Sequence, residues 1–131
     1  MAHPNEDRFR AGYAAFQNGD MDALRNEFLA PDVLWHNAGR SPISGDFKGI
    51  DEVLQSFGRS FELSAGTLRV EVHDCVANDE HGIVLGRATA ERPDGRRLDD
   101  RYAHVAHFRD GKIVESWFHA GDQYASDEFW S

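Results

Sequence analysis

Between Asp99 and Asp122 the chain reads D-D-R-Y-A-H-V-A-H-F-R-D-G-K-I-V-E-S-W-F-H-A-G-D. Asp110-Gly111 is a tight-turn signal, so the flanks predict a hairpin of two long strands. Residues two apart in a strand share a face. With Phe108 and Ile113 both taken as inward, Asp100, Tyr102, His104 and Ala106 point inward from the first strand, and Trp117 and His119 from the second. An imidazole in such a place can take or give a proton near neutral pH. A phenol beside it can donate a hydrogen bond to a developing oxyanion. Core strands do not ordinarily carry this many polar groups on one side. The pattern therefore predicts a pocket for a small, mostly apolar organic molecule. His104 and Tyr102 are its candidate catalytic groups, and Asp100, Trp117 and His119 line it. The bland alternative is a buried network in which these groups satisfy one another.

A second candidate set lies in Val33-Leu34-Trp35-His36, a short predicted strand. Trp35 and Asn37 share one face and His36 takes the other. The pocket thus sees Trp35 and Asn37 as wall and ligand contact, or His36 as general base, but not all three. A metal site is not expected. His104 and His107 face opposite sides of one strand, and neither His-x-His nor His-Glu-x-x-His occurs. There is no G-x-S-x-G, phosphate-binding loop or dinucleotide glycine pattern, so no cofactor is expected. Cys75 is the single cysteine and has no evident partner.

The elements that must position these residues are legible in outline. Phe9, Gly12-Tyr13 and Phe16 recur at helical spacing from Asn5 to Asn18, with Gly19 as a left-handed cap. Asp20 can cap a second helix carrying Met21, Leu24 and Phe28, which Pro31 stops. A Gly/Ser/Pro loop runs from Gly39 to Gly45. Ile50, Val53, Leu54, Phe57 and Phe61 then make an amphipathic helix from Gly49 to Leu63. After Gly66 the period becomes two, and four strands follow: one in which Leu68, Val70 and Val72 alternate with Arg69, Glu71 and His73, then Gly82 to Glu91, Leu98 to Arg109 and Lys112 to Gly121. The tail from Asp122 holds Tyr124, Phe129 and Trp130. It is expected to pack on the body or on a second subunit rather than to act as a lid. The order predicts an α+β domain spanning residues 1–131, with helices on one face of an antiparallel sheet and a ligand-sized cone between them.

Four segments carry a family likeness: N-G-D-M-D-A-L, A-P-D-V-L-W-H-N-A-G, S-G-D-F-K-G-I-D-E-V and F-R-D-G-K-I-V-E-S-W. In this order they resemble the SnoaL-like proteins of the nuclear-transport-factor-2-like superfamily, which also holds ketosteroid isomerases and limonene epoxide hydrolases. The resemblance implies a cone-shaped α+β barrel, a curved antiparallel sheet wrapped around N-terminal helices, and a homodimer through the sheet. It does not fix an activity. The isomerases hold an enolate oxygen with a tyrosine and a protonated aspartate, and use a carboxylate base on the first strand. Here the aspartate's place is His104. The tyrosine's place falls at Gly12, with Tyr13 one residue out of register. The base falls at His36 or Asn37, depending on the gap. These departures argue against ordinary ketosteroid isomerase chemistry. For the cyclases' acidic residue, Asp100 is the nearest candidate.

Composition limits the partners. The chain has 131 residues, with 23 acidic against 14 basic, for a formal charge of −9. That charge disfavours nucleic acid and anionic membranes. The polar start, the absence of a long apolar run and the lone cysteine are read as a cytoplasmic protein. The functional expectation is a cofactor-independent isomerase, cyclase or hydrolase working on a small apolar carbonyl or polyketide-like compound by histidine acid–base chemistry. The alternatives are a non-catalytic binder of an apolar metabolite and a dimeric interaction module with a residual pocket.

Overall fold

The first helix begins where the sequence caps it. In the computed structural model, which describes residues 2–131, α1 spans Pro4–Gln17. The His3 ring accepts from the Asn5 N–H, and Glu6 accepts from the His3 N–H at 2.9 Å. This reciprocal box, with proline in the first turn, satisfies donors that a helix start leaves open. Gly19, at φ +68°, supplies the left-handed stop. Asp20 then accepts from the Ala23 N–H and caps α2, Met21–Ala23, which continues as a π turn over Leu24–Phe28. The second helix is shorter than its apolar spacing predicts. Strand β1, Leu29–Asn37, starts inside the expected helix and carries Pro31 within it.

Strand β2, Gly45–Lys48, pairs antiparallel with β1 in what composition reads as the end of a loop. Three residues between two glycines are too few to show an alternation. Helix α3, Ile50–Leu63, buries Val53, Leu54 and Phe57 on one side. Four strands follow: β3 (Arg69–Ala77), β4 (His81–Glu91), β5 (Arg97–Arg109) and β6 (Lys112–His119). Helix α4, Gln123–Trp130, ends the chain's regular structure. Among the described residues no helix is long and apolar enough to cross a membrane.

The strands form one sheet in the order β2-β1-β6-β5-β4-β3. Every pair is antiparallel except β1 with β6, so the sheet is mixed rather than purely antiparallel, and it does not close. Helices α1, α3 and α4 pack on this curved sheet, giving the expected cone-shaped α+β architecture. The curvature has local causes. Register slips between Val72 and Asp74 in β3, between Leu29 and Leu34 in β1, and in β6 where Val114 is the extra residue. Each bulge bends its strand and raises the local twist. Between sheet and helices lies one apolar cluster. Its fully buried Val33, Val53 and Val84 each contribute roughly 1.5–3 kcal/mol relative to exposure.

Candidate functional site

The inner face of β5 carries the alternation the sequence predicts. Leu98, Asp100, Tyr102, His104, Ala106 and Phe108 are buried, and the residues between them are exposed or half-buried. Pairing of β4 with β5 runs from His81–His107 to Glu91–Arg97 without a slip, so nothing disturbs the parity. The face opens on a cleft walled mainly by apolar side chains of α1, α3 and the sheet. Asp100 and His104 line it. Four residues of extended strand separate their Cα atoms by about 13 Å.

The partner strand departs from expectation. Phe108 pairs with Ile113, but His107 pairs with Glu115, so Val114 is skipped. That one residue reverses every later side chain. Ser116 and Phe118 point inward, whereas Trp117 and His119 stand on the outer face. Trp117 lies against His107 there, and His119 is exposed. The expected pocket roles of Trp117 and His119 therefore do not stand.

The choice on β1 is resolved in favour of Trp35 and Asn37, which line the cleft. Trp35 packs its ring 4.9 Å from that of His104. Asn37 donates from Nδ2 to the Ile43 carbonyl at 3.0 Å and so shapes the loop at the mouth. His36 is on the outer face. Its Nδ1 meets Asp46 Oδ1 at 2.6 Å, its Nε2 meets Glu115 Oε2 at 2.8 Å, and its ring stacks on Trp117. Hydrogen bonds to Asp46 and then Glu115 raise its pKa, which favours the imidazolium. His36 is thus a clamped surface cation and not a base in the cleft.

Tyr102 shares the inner face but does not reach the cleft. Its ring occupies the space above Gly86, where a Cβ would stand 2.4 Å from the tyrosine Cζ and Oη. Its buried hydroxyl has no hydrogen-bond partner, and burial pushes its pKa up to about 12. The tyrosine that lines the cleft is Tyr13 of α1. Burial, with Tyr102 as the second cause, holds its phenol protonated well above the usual range. Gly12, where the count back from Gly19 falls, lines the cleft too but has no side chain to offer it.

Tyr13 Oη lies 2.8 Å from His104 Nδ1, and Ser116 Oγ makes a short contact with His104 Nε2. Both ring nitrogens are therefore engaged. His104 is 2 % exposed, and burial, then the charge of His119, pull its pKa down to about 3. The imidazole is neutral across the physiological range. Asp100 behaves oppositely. Burial raises its pKa, although the Asp122 and Gly121 N–H groups, donating at 3.2 and 3.0 Å to Oδ1, work against the shift. Ser116 was missed because the bulge hides its parity.

Helix α4 closes the region. Asp122 caps it through the Ala125 N–H, and Phe129 and Trp130 are buried, while Tyr124 is 90 % exposed. Trp130, Ser126 and Gln123 line the cleft, so the tail both packs and forms a wall. Among the described residues no group of three or more His, Cys, Asp or Glu side chains is placed to hold a metal ion.

Comparison with known proteins agrees with this geometry. The SnoaL-like domain matches residues 9–116. Rv0034, an uncharacterized protein of Mycobacterium tuberculosis, is 35% identical over 127 residues, covering 95% of each chain. Bal32a, from a soil-derived mobile gene cassette, superposes with a TM-score of 0.93 at 38% identity, covering 99% of this chain and 98% of its own. TerC, co-crystallized with polyporic acid, shares the fold at a TM-score of 0.84 and 20% identity, with 97% and 98% covered. Sequence match, fold and an apolar cleft with a few convergent polar groups lead to one assignment: the chain belongs to the SnoaL-like family, of nuclear-transport-factor-2-like and ketosteroid-isomerase-like fold.

Proposed function

We propose that the cleft binds a small, mostly apolar carbonyl compound and catalyses a cofactor-independent proton transfer, of the kind that isomerisations and cyclisations need. The observation that carries this reading is the pairing of two unlike polar groups in one apolar cleft. Asp100 is a carboxylate with a raised pKa, and Tyr13 is a protonated phenol backed by a neutral imidazole. In the reaction, the Asp100 carboxylate takes a proton from the carbon beside the carbonyl. Charge moves to the carbonyl oxygen, which the Tyr13 hydroxyl holds. The same proton returns at another carbon, or the enolate carbon attacks a second carbonyl of the substrate, whose C=O π bond opens and whose oxygen takes the proton held by Asp100. No electron acceptor or metal enters the balance. A carboxylic acid tuned upward suits this task near neutral pH. The role expected of His104 thus changes. A neutral imidazole with both nitrogens engaged supports Tyr13 and does not itself shuttle the proton. Trp35 and Phe118 form walls and Asn37 holds the mouth.

Proton exchange tests this without knowledge of the natural substrate. Aryl ketones that bind the protein are incubated in D2O, and deuterium gain beside the carbonyl is followed by NMR. Exchange above buffer, lowered about 100-fold or more by Asp100→Asn with binding retained, is the expected result. Binding without any protein-dependent exchange removes the catalytic reading. It leaves the binder, which the existing Gly121 and Asp122 hydrogen bonds to Asp100 favour.

The same reading includes a homodimer through the outer sheet face and residence in the cytoplasm. One row of paired residues, Val76, Ile83, Val105, Trp117, His36 and Asp46, crosses all six strands. Val76, Ile83 and Leu85 are 54, 38 and 44 % exposed, an apolar end that a second copy of the chain can cover.

A further inference from the structure

A neutral imidazole carries one N–H, and His104 sits between two hydroxyls. Two proton arrangements make both contacts. In one, Tyr13 donates to Nδ1 and Nε2–H donates to Ser116. In the other, Ser116 donates to Nε2 and Nδ1–H donates to Tyr13. Turning the ring over would set carbon atoms against both oxygens and is disfavoured in either case.

The two arrangements differ in the hydroxyl hydrogen left over. In the first it belongs to Ser116, which is 0 % exposed and whose Oγ has no other hydrogen-bond partner among the described residues. In the second it belongs to Tyr13, which lines the cleft and can meet a ligand oxygen or water there, while the neighbouring Tyr102 hydroxyl can point its own hydrogen at the Tyr13 oxygen in either arrangement. A buried donor without an acceptor is costly enough to bias the pair roughly tenfold towards the second arrangement. The same count explains why a serine suits this inward position. It is small enough to fit beneath the ring and brings a proton that has no other place to go.

We infer that Ser116 fixes His104 as the Nδ1–H tautomer, and so makes Tyr13 a donor into the cleft that selects ligands with an acceptor oxygen at that point. Ser116 is a positioning residue: it touches His104 and acts on the ligand only through Tyr13. The selectivity half of the inference rests on the proposed function. The tautomer half does not.

Histidine side-chain 15N NMR reads the tautomer directly, because protonated and bare ring nitrogens resonate far apart. The His104→Gln spectrum assigns the signal among the seven histidines. The wild type is expected to show Nδ1–H, with the bare Nε2 accepting from Ser116. In Ser116→Ala a protonated Nε2 would be a buried donor without an acceptor, so Nδ1–H remains while the Nε2 resonance moves to that of a ring nitrogen without a hydrogen bond. Ser116→Thr, which keeps the hydroxyl, restores the wild-type signal. An Nε2–H signal in the wild type overturns the inference with no variant needed, and so does an Nε2 resonance that does not move in a folded Ser116→Ala. For the ligand, 1-indanone and indane, nearly the same shape, are titrated by NMR. Wild-type preference for the ketone should fall about tenfold in Tyr13→Phe. A preference that stays constant in a folded Tyr13→Phe refutes the selectivity half, and the proposed use of Tyr13 with it, and leaves the tautomer standing.

Discussion

Burial of His104 makes a quantitative claim about acid stability. In the unfolded chain its imidazole titrates near 6.5, and in the folded protein near 3. The folded state therefore binds fewer protons than the unfolded state throughout that window. Stability is complete above the unfolded pKa and is lost as pH falls towards the folded one. At pH 5 the unfolded imidazole is almost wholly charged and the folded one almost wholly neutral. The loss relative to pH 8 is about 2 kcal/mol, and at pH 4 about 3 kcal/mol. For 131 residues, 2 kcal/mol corresponds to roughly 7 °C in Tm. Two other groups run the opposite way. Asp100, with its raised pKa, adds stability at low pH that is lost as pH climbs from 3.8 through its folded value. His36, also raised, adds stability below 6.5 that is lost as pH climbs through its folded pKa. The whole-protein profile mixes all three, so the assay takes a difference. Urea unfolding is followed by circular dichroism at pH 8, 6 and 5 for the wild type and His104→Gln. Glutamine keeps a hydrogen-bonding side chain and does not titrate. The gap between the two proteins should shrink by about 2 kcal/mol from pH 8 to pH 5, roughly 1 M in urea midpoint. Parallel profiles would show that His104 titrates normally in the fold, and the neutral imidazole behind Tyr13 would be lost.

Three further outcomes follow from packing. Gly86→Ala sets a Cβ 2.4 Å from the Tyr102 ring and 2.8 Å from the Glu71 carbonyl oxygen, and should cost about 1–3 kcal/mol in urea unfolding. Trp35 and Trp130 line the cleft and Trp117 does not, so an aromatic ketone should quench a larger fraction of the fluorescence in Trp117→Phe than in the wild type and a smaller fraction in Trp35→Phe; a smaller fraction in Trp117→Phe would contradict the assigned parity of β6. Ile83→Lys, placing a charge in the exposed apolar end of the outer-face row, should yield a monomer by light scattering with the fold unchanged; a dimer that survives it lies elsewhere.

What the sequence discloses about this site depends on where the sheet is regular. Alternation along β5 projects to the structure residue by residue, since its pairing with β4 never slips, and Asp100 and His104 arrive in the cleft as their spacing predicts. Beyond Ile113 the same rule fails at once. A bulge is one extra residue accommodated by the neighbouring strands, and nothing in K-I-V-E-S-W-F-H distinguishes an even from an odd count. The parallel partner β1, bulged itself near Pro31, joins β6 from far away in sequence and settles the matter. Tyr13 was obscured differently. Helical spacing gave its helix correctly, but a turn of about 100° per residue makes a one-residue error in register decisive for which side chain enters a cleft. Local pattern thus predicts faces, and long-range pairing decides them.

That division bears on the chemistry. The inward face of β5 offers an acid, a phenol and an imidazole in a row, and read as a list they suggest that all three meet a ligand. Placement separates them. Tyr102 is spent in packing over Gly86, and His104 is enclosed by Phe9, Trp35, Tyr13 and Ser116, so neither can exchange protons with solvent readily. Asp100 keeps a place on the cleft wall while the N–H groups of the β6–α4 connection hold its carboxylate. Replacing Gly121 should expose this coupling, because a Cβ there would stand 2.3 Å from the Arg101 carbonyl oxygen and 3.2 Å from Asp100 Oδ1. Gly121→Ala must move the connection or the carboxylate. With the two N–H groups displaced, Asp100 loses the hydrogen bonds that favour its charged form, and its pKa should rise further. In the deuterium-exchange assay the alkaline shift of the acid limb in Gly121→Ala, with Tyr13 and His104 untouched, would identify Asp100 as the titrating base. An acid limb that does not move in the folded variant would assign that limb to another group.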